Sequence, residues 1–97
     1  MPDLRFEWDT QKATANLAKH GVAFSEALTA FSDDTGLVID DPDHSAEEDR
    51  FILLGLSSEL RLLVVVHCFR ESGQVIRLIS ARRANRRERN QYKARNS

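Results

Sequence analysis

Three runs of strand-forming residues, Arg50 to Ser57, Arg61 to Arg70 and Gln74 to Ser80, follow one another with only Ser58-Glu59-Leu60 and Glu71-Ser72-Gly73 between them. Connections this short suit hairpins and cannot carry a crossover, so the three runs are predicted to pair as an antiparallel meander. Such a sheet needs a second layer against which to bury a face. The segment before it supplies one. Leu4, Phe6 and Trp8 alternate with Arg5, Glu7 and Asp9, the period of a short strand. Asp9 or Thr10 then caps a helix to about His20, with Ala13, Asn16, Leu17 and His20 on one face and Gly21 as its C-cap. Ser25 is expected to cap a second, short helix with Phe24, Ala27, Leu28 and Phe31 inward, broken by Asp33-Asp34-Thr35-Gly36.

Leu37-Val38-Ile39 reads as a brief strand. In the acidic segment that follows, Ser45 and Glu48 have capping-box spacing, enough for one helical turn. Asn85 and Glu88 signal a last, charge-dense helix to about Arg95. The expected fold is α+β: N-terminal helices packed on one face of a small antiparallel sheet, plus a C-terminal helix. The other sheet face is left without an obvious cover, a platform for a substrate. At 97 residues the whole chain, 1–97, is expected to form one domain.

Charge is distributed unevenly. Residues 1–60 carry four basic residues against thirteen acidic ones, a net of −9; residues 61–97 carry ten against two, a net of +8. Either the halves complement each other, or the basic half meets a polyanion. Nine of those ten basic residues are arginine, which grips phosphate bidentately and stacks on bases, so nucleic acid is the favoured partner. The longest apolar run, Leu62 to Val66, is too short to cross a bilayer, and the N-terminus lacks the pattern of an export signal. Cys68 is the only cysteine. These features lead to the expectation of a cytoplasmic protein.

The last strand turns abruptly from apolar residues to arginine at Arg77-Leu78-Ile79-Ser80-Ala81-Arg82-Arg83. The arginines either bind phosphate, one stabilising a charged transition state, or close salt bridges to the acidic half. Strict alternation puts Ile76, Leu78, Ser80 and Arg82 on one face, with Arg77 and Ala81 on the other. His67, within an apolar run, is either a general acid–base or a half-buried histidine bonded to backbone. Lys12 and Lys19 could reach a phosphate or simply face solvent, whereas His20 ends a helix, where the dipole favours its charged form, and shares the apolar face of Leu17, which points to a structural role. Tested as a calcium loop from Asp41, the acidic segment has Ala46 where Gly is needed and Ile52 where Glu is needed, so no metal is expected. There is no G-x-S-x-G, no P-loop and no cofactor motif. Metal-free RNA cleavage needs less, because the substrate's 2′-OH is the nucleophile. Arginines, a histidine and a lysine are sufficient.

Four segments together resemble the BrnT toxin family: Phe6-Glu7-Trp8-Asp9 with Lys12; Asn16-Leu17-Ala18-Lys19-His20-Gly21; Asp41-Pro42-Asp43-His44-Ser45 leading to Glu48-Asp49-Arg50; and Arg77-Leu78-Ile79-Ser80-Ala81-Arg82-Arg83-Ala84 running into Arg86-Arg87-Glu88-Arg89. The resemblance implies a RelE-like fold and a ribonuclease toxin of a type II toxin–antitoxin system. It implies growth arrest, neutralisation by a BrnA-like antitoxin that binds DNA, and a toxin dimer within a heterotetramer. It makes Arg82 the first catalytic candidate, with Arg83 beside it contacting substrate and Lys12, Lys19 and His20 lining the site. The expected catalytic set is Arg82, His67, Lys12 and Arg77; the expected substrate-binding set is Arg83, Lys19, His20, Arg70 and Arg86. Two other readings stand: a non-catalytic module that binds nucleic acid or protein, and a DNA-binding regulator, for which no helix-turn-helix signal precedes the last helix.

Overall fold

The computed structural model describes residues 4–40 and 50–96. The elements are β1 (Arg5–Glu7), α1 (Thr10–His20), α2 (Phe24–Ala27) continuing as a 3₁₀ turn (Leu28–Ser32), β2 (Leu37–Asp40), β3 (Arg50–Leu56), β4 (Leu62–Arg70), β5 (Val75–Arg83) and α3 (Arg86–Arg95). The five strands form one sheet in the order β1-β5-β4-β3-β2. As the short connections required, β3, β4 and β5 pair antiparallel.

The expectation of an all-antiparallel sheet is corrected: β1 lies parallel to β5, Phe6 opposite Ile76. Parallel pairing needs a long connection, and here everything from α1 to β4 intervenes. The second helix also starts differently. Ala23, not Ser25, occupies its N-cap position, without a side-chain hydrogen bond, and the helix tightens into the 3₁₀ turn after one turn. Strand β5 runs three residues beyond Ser80, because Ala81, Arg82 and Arg83 still pair with Val65, Val64 and Leu63. The expected turn at Ser45–Glu48 lies outside the described residues.

One sheet face carries the main core. Val22, Phe24, Ala27 and Ala30 pack on Leu53, Leu63, Val65, Ile76, Leu78 and Ala81. Gly55 permits this approach: a Cβ there would sit 2.9 Å from the Ala30 carbonyl oxygen. The second face is not open as expected. Its smaller cluster of Leu54, Val64 and Ala84 is packed by Leu37, Ile52, Leu62 and by Tyr92 from α3. No residue of α3 is itself buried. Polar contacts hold the helix: the Tyr92 hydroxyl donates to Asp33 Oδ2 at 2.6 Å, and Arg95 Nε donates to the Thr35 carbonyl at 3.3 Å.

Candidate functional site

Helix α1 begins where Asp9 accepts hydrogen bonds from the backbone N–H of Gln11 and Lys12, and ends at Gly21, whose φ of 71° suits glycine. Lys19 and His20 fall in its last turn, where the helix dipole favours cations. The expected inner face is only partly realised. Leu17 is 51% exposed, and Asn16 is the only buried residue of the helix.

Asn16 is buried because of an incomplete sheet edge. Strand β1 pairs with β5 only as far as Arg77, which leaves the outer edge of β5 without a strand neighbour among the described residues from Leu78 onward. Asn16 takes the place of one there. Its Oδ1 accepts from Ala81 N–H at 3.0 Å, while its Nδ2 donates to the Ala81 carbonyl at 2.8 Å and to the Val22 carbonyl at 2.9 Å. The chain thereby satisfies backbone groups that burial would otherwise leave unpaired.

A cleft of about 210 Å³ opens beside this contact, between Lys12, Asn16, Lys19 and His20 on α1 and Ile79 and Ser80 on β5. Strand β5 is irregular at that point. Opposite β4 its pairing passes from Ser80 to Leu78, so Ile79 is the extra residue of a β-bulge. The bulge corrects the strict alternation. Arg77 pairs with Cys68 and Arg82 with Val64, residues of like parity on β4, so Arg77 and Arg82 share the second face after all. Leu78 and Ala81 both enter the main core.

The candidate residues therefore separate into groups. Lys12, Lys19 and His20 meet in the cleft, and among the described residues neither lysine has an ion-pair partner. Three of the five candidate arginines are engaged in ion pairs. Arg82 makes a bidentate pair with Glu88 at 2.9 and 2.8 Å. That guanidinium holds the Glu88 carboxyl below its usual range, and Glu88 Oε1 also accepts the Asn85 N–H in the capping box of α3. Arg77 donates to Glu7 at 2.8 Å, with Arg70 at 3.8 Å from the same carboxylate. Arg83 lies within electrostatic reach of Glu26. Arg86 is exposed on the first turn of α3.

His67 joins neither group. It is 0% exposed, ringed by Phe31, Phe51 and Phe69, with ring centroids 4.8, 6.1 and 5.4 Å away. Its Nδ1 lies 3.1 Å from the Val65 carbonyl, which can only accept, so Nδ1 carries the proton. Nε2 is buried and has no hydrogen-bond partner among the described residues. Burial pushes the imidazole below its ordinary pKa and favours the neutral ring. Residues in the cleft that sequence reasoning missed are Ser80 and, in its true role, Asn16. An amide among Ala13 and Leu17 on a helix's inner face was the available signal.

The cleft thus gathers Lys12, Lys19 and His20 beside Ile79 and Ser80 of β5. A family model described as the ribonuclease toxin BrnT of type II toxin–antitoxin systems matches residues 8–88. The crystal structure of the Brucella abortus ribonuclease toxin BrnT is similar in fold, with a TM-score of 0.67 and 22% identity over 86% of this chain and 99% of that one. No curated protein matches the chain. The matched residues run from Trp8 to Glu88 and so include α1, the meander, Arg82 and the start of α3. The chain belongs to the BrnT family, the ribonuclease toxins of type II toxin–antitoxin systems.

Proposed function

We propose that this chain is a metal-independent endoribonuclease that cleaves RNA at the α1–β5 cleft. One observation carries the reading: Lys12 and Lys19 converge with His20 on a cleft without any acid to neutralise them among the described residues. Uncompensated cations at a concave site attract a phosphate more strongly than arginines already paired. In the reaction the substrate's 2′-oxygen bonds to phosphorus as the P–O5′ bond breaks. The 2′-OH proton passes to a base, and a proton is delivered to the leaving 5′-oxygen. Lys12 and His20 are the groups in the cleft that can carry these protons, with Lys19 holding phosphate. Arg82, two residues beyond Ser80, stabilises the developing charge by turning from Glu88. Arg83 and Arg86 hold flanking RNA, and Arg77 with Arg70 extends the second face. His67 has no place in this scheme, since its ring is walled in.

Incubating purified protein with RNA in EDTA tests the proposal. Cleavage should survive chelation and fall about 100- to 1,000-fold in Arg82→Ala and in Lys12→Ala. Cleavage at the wild-type rate in both variants would remove the site from consideration. The bidentate Arg82–Glu88 pair favours a second reading, a module that binds RNA without cutting it. Intact RNA bound in a salt-sensitive manner would decide for that module. Family membership further supports a cytoplasmic toxin of RelE-like fold, inhibited by a BrnA-like antitoxin as a dimer within a heterotetramer. Because α3 already occupies part of the second sheet face, an antitoxin acting there would have to contact or displace it.

A further inference from the structure

We infer that Asn16 is the positioning residue of the cleft, setting where the cations of α1 stand relative to β5. The inference rests on the proposed RNA-binding role of that cleft. A helix usually docks through an apolar stripe. Helix α1 lacks one: Leu17 is half-exposed, and Ala13 is only partly buried against the core. Among the described residues the hydrogen bonds that join the helix to β5 come from the Asn16 amide, 7% exposed, with both of its polar atoms committed to main-chain groups.

The geometry gives this contact leverage over the site. Ala81, which Asn16 grips on both its N–H and its carbonyl, lies between Ser80 in the cleft and Arg82 beyond it. On the helix, Lys12 lies one turn before Asn16 and Lys19 and His20 one turn after, all on the side facing β5. Asn16 is thus the fulcrum between the two halves of the cationic set. The third bond, to the Val22 carbonyl, ties the segment after Gly21 to the same point and fixes the end of the helix. Asparagine suits the position because an amide both accepts and donates. A carboxylate could only accept, and would face two carbonyl oxygens.

A double-mutant cycle separates positioning from mere structural support. Binding of a non-cleavable RNA, 2′-O-methylated at every position, is measured for wild type, Asn16→Ala, Lys12→Ala and the double variant, well below each unfolding midpoint. Asn16→Gln, which keeps the amide but adds a methylene, serves as the second variant, and also replaces the alanine if that fails to fold. If Asn16 places Lys12, the two losses are not additive: Lys12→Ala costs about tenfold in the wild-type background and less than about threefold once Asn16 is changed. Additive losses in folded variants would overturn the inference. On cleavable RNA, kcat should fall by more than about tenfold in Asn16→Gln, while KM rises no further than the roughly tenfold binding loss of Lys12→Ala. An unchanged kcat would equally overturn it. A wild-type protein that binds but does not cleave defeats the ribonuclease proposal and leaves the binding cycle to decide the role of Asn16.

Discussion

Helices α1 and α3 dock on opposite faces of one sheet by opposite means. Helix α1 is anchored by a neutral amide and leaves its lysines unpaired among the described residues. Helix α3 is anchored by charged groups, Glu88 to Arg82 and Tyr92 to Asp33. The arginine-rich third of the chain therefore spends part of its charge holding itself together. In the acidic first half, a net −9 up to residue 60, Lys12 and Lys19 are left without an ion pair among the described residues. A count of charges says how many are present; their partners decide which ones are left for a ligand.

The largest effect should come from the α1 side. Changing Lys12 and Lys19 together to Ala should weaken single-stranded RNA binding strongly and lower the log–log salt slope by about 1.4, near 0.7 for each phosphate no longer neutralised. The melting temperature should barely move, since neither lysine has an ion pair to lose among the described residues. A salt slope equal to that of wild type would erase the distinction between the helices.

A smaller effect is expected at the clasp of α3. Burial raises the Asp33 pKa, but hydrogen bonds from Tyr92, the Leu56 N–H and Thr35 outweigh it and hold the group at about 2. Asp33→Asn should cost roughly 1.5–3 kcal/mol, as lost hydrogen bonds to a charged group do. It should also increase hydrogen exchange in α3 before the core. Because the folded pKa lies below the unfolded 3.8, the contribution of Asp33 is complete above about pH 3.8 and disappears as pH falls toward 2. Denaturant titrations across that range provide the check. Protection in α3 equal to wild type would mean that the clasp is not what holds it.

The smallest effect belongs to His67, which serves neither helix's cations. Its pKa is depressed by burial, so the unfolded chain takes up the proton first. Stability is full above the unfolded value of about 6.5 and erodes as pH falls through it, by at most about 1.4 kcal/mol per pH unit. His67→Leu should remove that erosion and cost little at neutral pH, because the ring's unpartnered Nε2 goes with it. RNA cleavage should persist. Loss of cleavage in a stable His67→Leu protein would bring the histidine back into the mechanism.

Much of this was legible before the structure. The meander followed from two three-residue connections, and the limits of α1 followed from Asp9 and Gly21. The Asn85–Glu88 spacing marked the start of α3. The parallel pairing of β1 was not legible, because a three-residue strand far from any hairpin carries no signal of direction. Nor was the bulge at Ile79. Ile76 through Ala81 reads equally well as unbroken alternation, and only pairing with β4 shows that one residue is extra. Arg77 and Arg82 stand out in the sequence as cations at the end of an apolar strand, but nothing local indicates that Glu7 and Glu88 take them.

By itself the sequence determined the local elements, the family and the types of group available for chemistry. Periodicity, caps and turns act over a few residues, and motif order survives without any knowledge of contacts. Tertiary structure decided which cations remain unpaired and which atoms share a cleft. Those outcomes depend on residues far apart in the chain: Asn16 meets Ala81, Tyr92 meets Asp33, and Glu7 meets Arg77. Pairing and burial arise only when such groups are brought within a few ångströms of one another, and no local pattern records that.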